Sequence, residues 1–200
     1  MKFTEDAFKK LLRDVKQCTH CRLHLPDGSH PVVIAEKSAR IAIIGQAPGR
    51  KVNVSGIPWD DASGKRLRAW LKLDPISFYD SSQIAMIPMG FCFPGINPRG
   101  GDNPPRPECA PLWHSAILDA LTKIELTLLV GQYSQRYYLA ESQTMTKTIS
   151  DFKKYHPKVF PLPHPSWRTI GWENNNPWFV SEVIPELRKI VHHILNGNRV

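Results

Sequence analysis

The sequence predicts an α/β fold of three layers, α/β/α, with a central, mainly parallel sheet of four strands. The first observation is a set of short apolar runs, typical of strands buried on both faces, at 41–45, 84–87, 126–130 and 159–162. The second is that segments with helical patterns separate these runs. Strands that alternate with helices favour parallel pairing, because a helical crossover carries the chain back to the end where the previous strand began. No repeat or linker interrupts this order, so we expect residues 1–200 to form one domain.

The first helix has the clearest local signal. Thr4 is predicted to be its N-cap, with acidic residues in the first turn. Apolar residues then follow at the spacing of an amphipathic helix, at Phe8, Leu11, Leu12 and Val15. Ser63 is predicted to cap a second helix that ends near Leu71. Further helices are predicted at 110–122, 132–139, 149–155 and 178–195, the last of them ending before Gly197.

The chain is basic, with a net charge of +8 and a pI of about 9.4. Such a charge fits either an ordinary solvated surface or a phosphate-rich partner. No apolar stretch is long enough to span a bilayer, and no apolar N-terminal run resembles a signal peptide. We therefore expect a cytoplasmic protein, likewise without a membrane partner.

Four cysteines form a pattern that favours joint ligation. Cys18 and Cys21 make a C-x2-C pair at the end of the first helix, and Cys92 and Cys109 bound a long Pro- and Gly-rich loop. Structural disulfides are rare in a reducing compartment. Four thiolates can complete a tetrahedral zinc site or an iron–sulfur cluster, and the spacing leaves both open. Either group would join the N-terminal helix to the 92–109 loop.

Two motifs follow predicted strands and are expected to meet. Gly45-Gln46-Ala47-Pro48-Gly49 follows the first strand, and His164-Pro165-Ser166 follows the fourth. The carboxyl ends of parallel strands open on one edge of the sheet, which is where ligands bind in such folds. Trp59 lies in the loop after the first motif. A backbone loop, an amide, an indole and an imidazole together suit a planar ligand such as a nucleobase.

These residues resemble the uracil-DNA glycosylase superfamily, and most closely its family 4, the iron–sulfur type. The resemblance includes the C-x2-C pair, the 45–49 loop, Gly56-Ile57-Pro58-Trp59, the two later cysteines and His164-Pro165-Ser166. It implies that the four cysteines bind a [4Fe–4S] cluster and that Trp59 stacks on a flipped base. It also implies that His164 stabilises the departing base, and that Trp167 and Arg168 lie on a loop that enters the DNA.

The chain departs from the family at three positions. The family usually has Glu at the position of Gln46, and another branch has Asp at the position of Ala47. The family's base-reading Asn corresponds to Pro88, which has no side-chain donor and no backbone N–H. Gln46 can orient a water molecule but cannot accept its proton.

Two acids that follow Trp59 offer a replacement for the missing carboxylate. We hypothesise that Asp60 or Asp61 performs this role; the alternative is that both acids begin the next helix, where the helix dipole favours them. Ser166, Trp167, Arg168 and Lys65 are the predicted DNA contacts, and Lys51, Arg66 and Arg68 are further candidates for phosphate binding.

The resemblance and these departures leave two functions open. One is a monofunctional DNA glycosylase, acting as a monomer, that hydrolyses the N-glycosidic bond of uracil or another deaminated or damaged base. The other is a nucleic-acid-binding module on the same fold, with altered or lost chemistry.

Overall fold

Four parallel strands form the central sheet of the computed structural model, which describes residues 4–140 and 143–197. The strands are β1 (Ile41–Ile44), β2 (Ile84–Met86), β3 (Leu126–Val130) and β4 (Val159–Leu162). Their order is β2-β1-β3-β4, and every pair is parallel. The predicted fold class and the four strand positions are confirmed. Among the described residues, no helix is long and apolar enough to cross a membrane.

Nine α-helices surround this sheet within the described ranges. They are α1 (Glu5–Lys16), α2 (Arg50–Ser55), α3 (Ala62–Leu71), α4 (Pro75–Tyr79), α5 (Cys109–Ala120), α6 (Gln132–Leu139), α7 (Met145–Ser150), α8 (Thr169–Asn175) and α9 (Ile184–Asn196). Helices α2, α4 and α8 were not predicted, and a π-helical turn, Phe179–Val183, precedes α9. The predicted helix at 149–155 is replaced by α7 and a short 3₁₀ turn, Phe152–Lys154.

Alternate strand residues face two separate helix layers. On one face, Ile41 and Ile43 pack in a cluster with residues of α3 and α9, such as Leu67 and Val191. On the other face, Ala85 packs in a cluster with residues of α1 and α5. Burial on both faces explains why the strands are continuous apolar runs rather than alternating ones.

Two helix N-termini test the predicted caps. The Thr4 hydroxyl accepts a hydrogen bond from the backbone N–H of Ala7 at 3.2 Å, which confirms the first cap. The second cap prediction, Ser63, was wrong. Asp61 has extended backbone and its Oδ1 accepts a hydrogen bond from the N–H of Gly64 at 2.7 Å, so α3 begins at Ala62 and includes Ser63. The carboxylate also complements the helix dipole at this end.

His114 is a fully buried polar residue whose two ring nitrogens are both satisfied. Nε2 lies 3.0 Å from the carbonyl oxygen of Pro88, and Nδ1 lies 2.6 Å from the Tyr138 hydroxyl. Because a carbonyl only accepts, Nε2 carries the proton and Nδ1 accepts from Tyr138. Burial lowers the pKa of His114 to about 4. The neutral ring is therefore part of the folded state.

This burial predicts a loss of stability in mild acid. Below its ordinary pKa of 6.5, His114 takes up a proton in the unfolded chain but not in the folded one until about pH 4. The free energy of unfolding should therefore fall as pH falls, by about 1.4 kcal/mol per pH unit from this residue. His114→Gln keeps a donor for Pro88, and in urea titrations it should lose about 2 kcal/mol less than wild type between pH 7 and 5. The control His193→Gln changes an exposed residue. An unchanged pH slope in His114→Gln would contradict the prediction.

Candidate functional site

A pocket of about 300 Å³ opens beyond the carboxyl ends of β1 and β4. It brings together the Gly45–Gly49 loop, Trp59, His164 and the segment from Ser166 to Arg168. All of these residues were predicted site residues. The topology explains the meeting, because β1 and β4 flank β3 in the same parallel sheet and their ends open on one edge.

Trp59 is held in place by hydrogen bonds to its carbonyl oxygen and by the packing of its indole ring. Its φ of 59° lies in the left-handed region, which is strained for a bulky residue. Its carbonyl oxygen accepts hydrogen bonds from the Tyr79 hydroxyl at 3.2 Å and from Arg68 at 3.4 Å. The indole packs against Gly45, where an added Cβ would stand 2.6 Å from the ring. Arg68, a predicted phosphate contact, thus binds Trp59.

The His164 ring lies beside the Trp59 ring. Their centroids are 5.9 Å apart and the planes are tilted by 31°. Part of His164 remains accessible at the pocket, but the surrounding protein desolvates its ring and lowers its pKa, while the nearby Asp61 carboxylate acts in the opposite direction. A neutral imidazole at pH 7 can donate one N–H without carrying charge.

Arg66 anchors the loop that follows β4. Its guanidinium donates to the Ser166 carbonyl oxygen at 2.8 Å and forms an ion pair with Glu173 at 2.6 Å. Both side chains of this pair are mostly buried. Arg66 is therefore engaged inside the protein. At the tip of the loop, the Trp167 side chain is 74% exposed, and the Arg168 guanidinium lies 5.3 Å from its ring centroid.

The remaining predicted residues differ in whether they line the pocket. Asp61 lines the pocket while also capping α3. Asp60 lies outside the pocket lining and approaches Lys51 at 3.5 Å. Lys65 is an exposed residue of α3 that does not line the pocket.

Asp102 is a pocket residue that the sequence analysis missed. Its Oδ2 lies 3.3 Å from the point where a Cβ on Gly49 would stand. Asp102 is exposed to solvent. Partial desolvation by the surrounding loops and the charge of Asp61 nevertheless raise the pKa of its carboxyl, whereas Arg168 lowers it. The available signal was the Gly100-Gly101-Asp102 segment within a loop too long to be a simple connection.

The four cysteines line one small pocket away from this site, together with Ser29 and Arg106 among others. All four are free thiols, and burial raises the pKa of Cys92 to about 12 and of Cys109 to about 11. Burial raises the pKa of Cys21, and the nearby Arg106 guanidinium lowers it. Two buried atoms of this pocket, Ser29 Oγ and Arg106 Nε, have no partner within the described part of the chain. In those same ranges, no three or more His, Cys, Asp or Glu side chains are arranged to hold a metal ion.

Comparison with known proteins relates this chain to one family. A family model described as the uracil DNA glycosylase superfamily matches residues 31–188. The type-4 uracil-DNA glycosylase of Sulfurisphaera tokodaii is 27% identical over 176 residues, covering 80% of this chain and 75% of that protein. The type-4 uracil-DNA glycosylase of Archaeoglobus fulgidus is 29% identical over 66 residues, 33% of each chain. Because the family model spans well over half of the sequence and includes both motifs at the sheet edge, this chain belongs to the uracil DNA glycosylase superfamily.

Proposed function

We propose that this protein is a monofunctional DNA glycosylase that hydrolyses the N-glycosidic bond of a flipped, deaminated or damaged base. The observation that carries the proposal is the convergence of Trp59, His164 and the 45–49 loop on one pocket of about 300 Å³. That volume is at the lower end for small-molecule sites, roughly 300–1,000 Å³. The superfamily and the type-4 relatives support the same class of reaction.

In this proposal the base stacks on the indole of Trp59, and the 45–49 loop binds its edge. Cleavage breaks the bond between C1′ and the base nitrogen, and the electron pair leaves with the base. The neutral His164 ring donates an N–H to a base oxygen, where the negative charge develops. Gln46 orients a water molecule or binds the base edge, since an amide cannot take up a proton.

DNA is the proposed partner, and the charge of +8 supports it. Ser166, Trp167 and Arg168 lie on the loop that would enter the duplex where the base has left, and the last two are exposed. Lys65 lies on α3 as a phosphate contact in this proposal. We also propose that residues 1–200 form one domain that acts as a monomer.

The test is release of base from oligonucleotides that carry uracil, hypoxanthine or xanthine. Release of at least one base by the purified protein is expected. The second candidate function, a binding module without chemistry, is favoured by Gln46, Ala47 and Pro88 in the pocket wall, none of which supplies a carboxylate. No release from any substrate, with DNA binding intact, would support that second function and overturn the first.

We also propose that Cys18, Cys21, Cys92 and Cys109 hold a [4Fe–4S] cluster, with zinc as the alternative. The four thiols share one pocket, and the unpartnered Ser29 hydroxyl and Arg106 Nε are donors that a group with sulfide acceptors would satisfy. Such a cluster would cross-link the end of α1 to the 92–109 segment and the start of α5. Arg106 would offset the negative charge of the thiolates.

The cluster proposal predicts a coloured protein. Anaerobically purified protein should absorb at roughly 400 nm and contain iron and acid-labile sulfide. Cys109→Ser should lose most of this absorbance and lower the melting temperature, because a thiolate ligand is missing. Stoichiometric zinc without iron would replace the cluster with the alternative, and absence of both would contradict joint ligation.

A further inference from the structure

The proposed reaction requires a group that accepts a proton from the attacking water, and the first motif offers none. Gln46 carries an amide, and Ala47 has no polar side chain. Asp61 lines the pocket, but its Oδ1 accepts the hydrogen bond that caps α3. One oxygen of this carboxylate is therefore already engaged in capping α3.

Asp102 is another carboxylate that lines the same pocket, and it does not cap a helix. In the ranges 4–140 and 143–197, no side chain or backbone N–H donates a hydrogen bond to it. Its Oδ2 approaches Gly49, the last residue of the first motif, to 3.3 Å from the position of an added Cβ. Gly49 thus leaves room for a carboxylate close to the motif backbone.

The loop that carries Asp102 is locally ordered. Asp102 forms an antiparallel bridge with Ile96, and the N–H of Asn103 donates to the Gly95 carbonyl at 2.8 Å. Gly100 and Gly101 both have positive φ, and the Arg168 guanidinium packs against them. The turn therefore presents Asp102 to the pocket and places a cation beside it.

We propose that Asp102 is the general base of this glycosylase, holding the nucleophilic water and accepting its proton. The proposal rests on the glycosylase function proposed above. The C1′–N bond breaks and its electron pair leaves with the base. The water oxygen forms the new bond to C1′, and one water proton passes to a carboxylate oxygen of Asp102. No other reactant is needed.

The charges around Asp102 are consistent with this role. Partial desolvation and, after it, the charge of Asp61 raise the pKa of Asp102, which makes the carboxylate a stronger base, whereas Arg168 favours the ionised form. Besides Asp61 and Arg168, the pocket lining contains His164, whose ring is desolvated and has a lowered pKa. The rate of base release should therefore fall in acid, with an apparent pKa above the ordinary pKa of an aspartate carboxyl. This fall is the acid limb of the pH profile.

The test compares Asp102→Asn with wild type in single-turnover base release. We expect the rate to fall about 10²-fold or more. The variant should lose the acid limb and should still bind DNA that carries a stable abasic-site analogue within about threefold of wild type. Asp119→Asn, an exposed residue of α5, is the matched control with an unchanged rate.

Each outcome separates the two proposals. Base release by wild type with an unchanged rate in Asp102→Asn overturns the role of Asp102 alone. A large loss in Asp61→Asn without a loss in Asp102→Asn assigns the base to Asp61 and also overturns it. No base release by wild type overturns the glycosylase function, and the role of Asp102 with it.

Discussion

His164→Ala should slow single-turnover base release about 10²- to 10³-fold, the usual cost of removing one donor from a site of developing negative charge. Burial keeps the imidazole neutral, so its contribution is an aimed N–H rather than a positive charge. The backbone that carries the ring is held in place, because the N–H of Ser166 and the hydroxyl of Thr169 both donate to the His164 carbonyl oxygen.

Binding and chemistry should respond differently to this change. Affinity for DNA with an abasic-site analogue should change little, because no base is present to accept the N–H. His193→Gln, which alters an exposed residue of α9, is the control. A rate within about twofold of wild type in His164→Ala would mean that the departing base needs no donor from this residue.

Gly64→Ala should destabilise the protein by at least about 3 kcal/mol, at the upper end for overpacking. A Cβ on Gly64 would overlap the carbonyl oxygen of Trp59. The atoms next nearest to this added Cβ would be the carbonyl carbon and the Cβ of Trp59. Those atoms are backbone or close to it, so rotation of a side chain cannot relieve the clash. The same carbonyl already accepts hydrogen bonds from Tyr79 and Arg68.

Gly171→Ala provides a matched control for Gly64→Ala. Gly171 also lies in a helix, α8, but an added Cβ there meets nothing within 4 Å. The control should therefore be neutral or stabilise by about 0.5–1 kcal/mol, because alanine restricts the unfolded chain and favours helix. Urea titration measures both variants. Equal stability of the two would show that the 59–64 turn can rearrange at little cost.

The sequence predicted the sheet and the meeting of the two motifs because both depend on strong, local signals. Continuous apolar runs identified the four strands. Parallel order then placed the residues that follow β1 and β4 at one edge. The position of Trp59 beside His164 depends on this topology and on a short turn, and the structure has the two rings 5.9 Å apart.

Other features have no local signal in the sequence. Helix α2 has six residues, and its N-cap is Gly49, which has no side chain to signal a cap. Arg66 and Arg68 appear in the sequence as basic residues beside the pocket, but their partners, Glu173 and the Trp59 carbonyl, are known only from the fold. Asp102 lies in a loop without periodicity, and its approach to Gly49 has no sequence signature.

The anchoring of Ser166 by Arg66 has a consequence for molecular association. A flexible loop loses conformational entropy when a partner immobilises it, and that loss weakens the complex. Here the buried Arg66–Glu173 pair and the hydrogen bond to Ser166 restrict the backbone before any partner arrives. Trp167 therefore projects from a loop that is already ordered, and a partner that meets the indole gains its contact area with little of that entropic penalty.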